Sequence, residues 1–209
     1  MSDISACLQN GVEKRGYATM AVSGGRTPEH IFPLLSKAEI PWNQISITLA
    51  DERWVEPDHP DSNEGLARHL LMKGEAARVR FVGLKTKHSD PFDGYQECEA
   101  ALSTLNWPLD GILLGMGEDG HIASLFPGQG EWADATGRVL AVGASKQRQP
   151  RMSLTPGALL DSCHIFLVIT GPEKQAILKA AQEPGPVDEL PVRLILHQTQ
   201  VPVTVYSVN

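Results

Sequence analysis

The sequence predicts an α/β fold in which helices cover both faces of a mostly parallel β-sheet. Three observations predict it. Apolar runs bounded by turn residues alternate with segments of helical spacing along the chain, the order of strand–helix–strand units. Several runs are apolar on successive residues, the pattern of strands buried on both sides. Glycine and proline stand where runs end and helical segments begin.

In chain order, residues 3–14 have helical spacing and precede the apolar strand Tyr17–Val22. The next helix, 28–38, starts at Thr27 as N-cap with Pro28 in the first helical position, where a missing N–H costs nothing. Strand Ile45–Ala50 leads into a charged loop, and Ser62 caps a helix over 62–72. Strand Arg80–Val82, helix 93–105 and strand Gly111–Leu114 follow. Strands Val139–Val142 and His164–Ile169 precede a helix over 172–183, announced by Gly171-Pro172. A short helix over 191–197 and strand Val203–Tyr206 complete the pattern. There is no internal repeat, and Glu183–Pro186 and Gly128–Thr136 read as loops, so 1–209 reads as one domain.

The composition excludes several classes. With 42% hydrophobic and 21% charged residues the chain is ordinary globular protein. No apolar stretch is long enough to span a bilayer, and the N-terminus has no signal-peptide pattern. Cys7, Cys98 and Cys163 are odd in number and lack metal-type spacing, which suits free thiols in the cytoplasm. A net charge of −7 disfavours nucleic acid, though a local cationic pocket remains open to a small anion. No protein partner can be read.

Ligands of such sheets bind beyond the carboxyl ends of the strands. Ser23-Gly24-Gly25-Arg26-Thr27-Pro28 follows the first strand, where the glycines let backbone N–H groups face an anion; a simple tight turn is the plainer alternative. Asp51-Glu52-Arg53 ends the second strand, three charges where a core is expected. Asp51 suits a substrate hydroxyl or a water, Arg53 a phosphate or a carboxylate, and Asn63 bridges to this loop. Gly115-Met116-Gly117-Glu118-Asp119-Gly120-His121 departs from the dinucleotide-binding fingerprint and places Asp-Gly-His at the start of a short helix. A histidine titrates near about 6.5, suited to general-base work, and Asp119 is placed to fix the tautomer of His121. Lys174 sits in the first turn of a helix, an end that disfavours cations, which hints at an anionic ligand; a solvent-facing lysine is the alternative.

Taken together, these motifs resemble the 6-phosphogluconolactonase family. They include Asp61-Ser62-Asn63, Ala123-Ser124-Leu125-Phe126-Pro127-Gly128 after His121, Arg151 before Ser153-Leu154-Thr155, and Gly171-x-x-Lys174, in the family's order over roughly residues 17–206. The resemblance implies a modified Rossmann-type sheet shared with glucosamine-6-phosphate deaminases and ribose-5-phosphate isomerases. It implies hydrolysis of 6-phospho-D-glucono-1,5-lactone to 6-phosphogluconate, without metal or cofactor. Two departures stand out. Arg26 occupies a position where many members carry serine, and Lys146–Pro150 lacks the common Lys-Pro-Pro run.

The expected catalytic set is therefore His121, Asp119, Arg53 and Asp51. The expected substrate-binding set is Ser23, Gly24, Gly25, Thr27, Asn63, Arg151 and Lys174. Two other readings share the fold: an amino-sugar-phosphate deaminase or isomerase, and a non-catalytic sugar-phosphate sensor. The deaminases continue Asp-Gly-His with Phe-Asn-Glu-Pro, and Phe126 stands here in place of that glutamate.

Overall fold

The computed structural model describes residues 2–146 and 148–208, so Gln147, part of the basic run before Arg151, lies outside the described residues. The chain runs through α1 (Ser2–Arg15), β1 (Ala18–Val22), α2 (Arg26–Leu35), β2 (Ile45–Leu49), β3 (Asp51–Arg53), α3 (Asn63–Leu70) and β4 (Arg80–Val82). It continues with α4 (Pro91–Leu102), β5 (Gly111–Gly115), β6 (Val139–Val142), β7 (Arg151–Leu154) and α5 (Pro156–Leu160). β8 (Ile165–Thr170), α6 (Pro172–Gln182), α7 (Arg193–Leu196) and β9 (Val203–Val208) complete it.

Six strands form an all-parallel sheet in the order β4-β2-β1-β5-β8-β9. Every residue of β1 is buried, as are five of the six in β8. Consecutive buried residues mean that both faces are covered, which is why these runs lack alternation. Met20, Ile47, Leu114, Phe166 and Leu167 of the sheet sit in a core completed by Phe32 and Trp42 from flanking segments. Numbered among themselves, the parallel strands run 3-2-1-4-5-6, the doubly wound order, with the direction of winding reversing between β1 and β5.

Several expectations need correction. Val139–Val142 does not join the main sheet. It pairs antiparallel with β7, which pairs antiparallel with β3, making a separate three-stranded sheet. β3 and β7 escaped the sequence reading because strands of three and four polar-rich residues carry too little periodicity to register. α5, with Thr155 accepting from Ala158 N–H as its cap, also went unread. Thr27 is not an N-cap: α2 begins at Arg26 with Gly25 at the cap position, while Thr27 Oγ1 lies 3.1 Å from Thr170 Oγ1. The segment after Asp119 is not a helix but a chain of turns, with Gly117 N–H bonded to the His121 carbonyl at 2.9 Å and an isolated bridge between Ile122 and Leu125. Ser62 does cap α3, accepting from Gly65 N–H at 3.0 Å.

Candidate active site

The winding reversal leaves a crevice beyond β1 and β5, and the chain fills its rim with the segments that follow those strands. A cleft of about 310 Å³ is lined by Ser23, Gly24, Gly25 and Thr27 after β1, by Asp51 and Arg53 of β3, by Asn63 of α3, and by Gly117 and His121 after β5. Arg151 of β7 and Lys174 of α6 close it. Ten of the eleven residues expected from sequence line this one cleft, and Asp119 stands directly behind His121. Arg26, a cation where many members of the resembling family carry a serine hydroxyl, also lines it.

The turn carrying His121 is shaped by close contact. An added Cβ on Gly117 would lie 2.1 Å from His121 Nδ1 and 2.6 Å from Asp119 Oδ1, so any side chain there displaces the pair. Asp119 Oδ1 accepts from the backbone N–H of His121 at 3.1 Å and meets Nδ1 at 2.5 Å. Burial raises the Asp119 carboxyl, but the hydrogen bond and charge of His121 together with local N–H groups outweigh it and hold the carboxyl down to about 2. An ionised Asp119 keeps the proton on Nδ1 and leaves Nε2 as the acceptor nitrogen. The imidazole packs on Phe126, ring centroids 4.7 Å apart, and the Arg148 guanidinium lies 3.7 Å from the centroid of that ring.

Opposite charges are unevenly matched in the cleft. Arg53 and Arg151 face one another across the β3–β7 pairing, where like charges repel. Arg151 Nη1 reaches Asp51 Oδ2 at 3.2 Å, whereas Arg53 Nη1 donates to the Asp61 carbonyl at 2.6 Å. Among the described residues, neither Arg53 nor Lys174 forms an ion pair with a carboxylate, and the Nε atoms of Arg53 and Arg151 are buried without partners. Burial and the nearby Arg26 push the Lys174 ammonium down from its ordinary value, with Glu118 opposing. Burial likewise lowers Arg151, with the charges of Arg53 and Arg148 adding to it and Asp51 resisting. A cluster of cations that disfavour one another is a site short of an anion.

Asp51 is 5% exposed and its carboxylate is committed. Oδ2 accepts from Ser124 Oγ at 2.6 Å and from Arg151, and Oδ1 lies 3.4 Å from Asn63 Nδ2. Asn63 Nδ2 also donates to the Asp51 carbonyl at 2.8 Å, the bridge expected from sequence. Gly25 adopts φ 93°, a region closed to most side chains, and the α2 N-terminus starts immediately after it. Gly24 has no such conformation; its constraint is the Asn63 amide, which a Cβ would meet at 1.8 Å. No grouping of three His, Cys, Asp or Glu side chains fit for a metal ion occurs among the described residues.

Glu52 was quoted in the motif but given no role, and it proves to be the most buried of the three charges. The signal lay in strand alternation: in a three-residue strand the middle side chain points away from its neighbours. Asp51 and Arg53 therefore line the cleft while Glu52 turns to α3.

Comparison with known proteins gives a consistent answer. A family model described as "Glucosamine-6-phosphate isomerases/6-phosphogluconolactonase" matches residues 1–205. A 6-phosphogluconolactonase of Mesorhizobium japonicum is 39% identical over 95% of this chain and 85% of its own length. One from Pseudomonas putida is 38% identical over 98% of this chain and 85% of its own. The crystal structure of a 6-phosphogluconolactonase from Shewanella baltica superposes with a TM-score of 0.95 at 39% identity, covering 99% of this chain and 90% of that one. By sequence and by three-dimensional likeness, the chain belongs to the glucosamine-6-phosphate isomerase/6-phosphogluconolactonase family.

Proposed function

We infer that the protein hydrolyses 6-phospho-D-glucono-1,5-lactone to 6-phospho-D-gluconate in the cytoplasm, within the oxidative pentose phosphate pathway. The observation that carries this reading is one imidazole, oriented through Nδ1 by Asp119, facing the same cleft as cations that lack a counter-anion. A lactone is already an activated ester, so water suffices as nucleophile. His121 Nε2 takes a proton from water as its oxygen bonds to the lactone carbonyl carbon. The resulting tetrahedral oxyanion is stabilised by Arg53 or by backbone N–H groups of the glycine turns. As it collapses, the ring C–O bond breaks and His121 returns the proton to the departing ring oxygen. The 6-phosphate sits against Gly24, Gly25, Arg151 and Lys174, with Ser23, Thr27 and Asn63 around it, fixing the carbonyl near the base. Asp51 belongs to this scheme as the group that aims Arg151, since its oxygens are already bonded.

The deaminase reading fits less well. Where those relatives place a glutamate to serve the histidine, this chain packs the apolar, 2%-exposed Phe126 against it. Ring opening and proton shuttling at an amino sugar need a carboxylate there. Titrating acid release from the lactone at constant pH, with the spontaneous rate subtracted, tests the proposal. His121→Ala should lower kcat by roughly 10²–10⁴-fold. A rate within a few fold of wild type, or ammonia released from glucosamine 6-phosphate, would end it.

A further inference from the structure

Glu52 is fully buried and does not touch the cleft. Its Oε1 accepts from the backbone N–H of Arg53 at 2.8 Å and of Asn63 at 2.7 Å. Its Oε2 accepts from the backbone N–H of Glu64 at 2.7 Å and from the Ser62 hydroxyl at 3.0 Å. A helix leaves its first N–H groups without intrahelical partners. In α3 those of Asn63 and Glu64 go to Glu52, and that of Gly65 goes to Ser62 Oγ at 3.0 Å. A carboxylate from a neighbouring strand thus completes the first turn of this helix, at the end where negative charge is favoured.

Of the three residues whose backbone N–H groups Glu52 holds, Arg53 and Asn63, both on Oε1, present side chains to the cleft. Asn63 is wedged between Gly24 and Asp51, with its Oδ1 buried and unpartnered. Arg53 lies opposite Arg151, a juxtaposition that repulsion would relax if the backbone allowed. Were α3 to slide on β3, the amide would lose its seat and the guanidinium its aim. Among the described residues, the hydrogen bonds that tie the start of α3 to β3 on the cleft side are those of the Asn63 amide itself and the Arg53 bond to Asp61, which are the groups being held.

We propose that Glu52 is a positioning residue for substrate capture, fastening the start of α3 to β3 so that the Asn63 amide and the Arg53 guanidinium stay at the cleft wall. The substrate's identity rests on the lactonase reading; the effect on anion binding rests on geometry alone.

The test is Glu52→Gln at pH 8, above the value of about 7 to which burial raises this carboxyl, so that an amide nitrogen stands where an ionised oxygen had accepted an N–H. KM for the lactone, and Kd for inorganic phosphate by calorimetry, should each rise about three- to ten-fold, with any fall in kcat no larger than that rise. In an Arg53→Ala/Asn63→Ala background the same substitution should change KM and Kd little, because the groups it acts through are gone. A full effect in that background, a loss confined to kcat, or unchanged KM and Kd overturns the proposal. If Glu52→Gln unfolds at the assay temperature, Glu52→Asp, which keeps the carboxylate but is one methylene too short to reach all four donors, is read the same way. Should wild type add nothing to spontaneous lactone hydrolysis, the lactonase reading fails, and the phosphate measurement still decides the role of Glu52.

Discussion

Asp119 and His121 lie two residues apart, close enough for a local turn to join them without help from the rest of the fold. That is why their pairing could be anticipated from the sequence, whereas two of the partners of the Asp51 carboxylate could not: Ser124 and Arg151 are 73 and 100 residues away. Lys174 was singled out for sitting at the wrong end of a helix dipole, and it lines the cleft with its ammonium depressed by burial and by Arg26. Removing it relieves the free protein of an unfavourable charge and deprives an anion of a partner. Lys174→Ala should therefore raise KM for the lactone by roughly 10–100-fold, the worth of a charge-assisted hydrogen bond, and leave the thermal midpoint unchanged or higher. Steady-state kinetics beside a melting curve check both halves. A lowered midpoint with normal KM would assign Lys174 to the fold instead.

The elements that build the site differ in how far they could be read. β1, β5 and β8 are continuous apolar runs and stood out; their ends were read to within a residue or so. The start of α2 was misplaced by two residues because Thr27 and Pro28 offer a conventional cap signal, yet Gly25 at φ 93° turns the chain earlier. A side chain at φ 93°, ψ −175° is strained by roughly 1–3 kcal/mol, and relief would swing the first N–H groups of α2 away from the cleft. Gly25→Ala should lower the unfolding free energy by about that amount in denaturant titrations and weaken phosphate binding in parallel. Loss of stability with intact phosphate affinity would detach the α2 terminus from anion binding. β3 and β7 were invisible as strands, although all three of their cleft-facing charged residues had been chosen individually.

For the molecule as a whole, the response to pH is set by groups whose protonation differs between the folded and unfolded chain. Burial pushes the Glu52 carboxyl up to about 7 against an ordinary value of 4.5, with its four donors pulling the other way. The folded chain then holds that proton more tightly than the unfolded one. This contribution to stability is complete below about 4.5 and lost as pH rises through about 7. Asp119 runs the opposite way: its contribution is present above 3.8 and disappears only as pH falls toward about 2, outside that window. Thermal midpoints of wild type and Glu52→Gln compared at pH 5 and pH 8 isolate the first effect. Wild type should lose more stability than the variant over that interval, and parallel curves would show that Glu52 carries no such proton.

Local chemistry, written in neighbouring residues, was enough to announce the parallel strands, the Ser62 cap and the Asp119–His121 pair, whereas the full list of cleft side chains needed the family resemblance as well. Each of the first three depends on periodicity, on a backbone preference or on contacts a few residues apart, all of which a sequence states directly. The second sheet, the pairing of Arg53 with Arg151, the commitment of Asp51 and the burial of Glu52 emerged only on folding. They depend on strands brought together from about a hundred residues apart, and on which side of a three-residue strand faces water, a balance of packing and desolvation that no local pattern records.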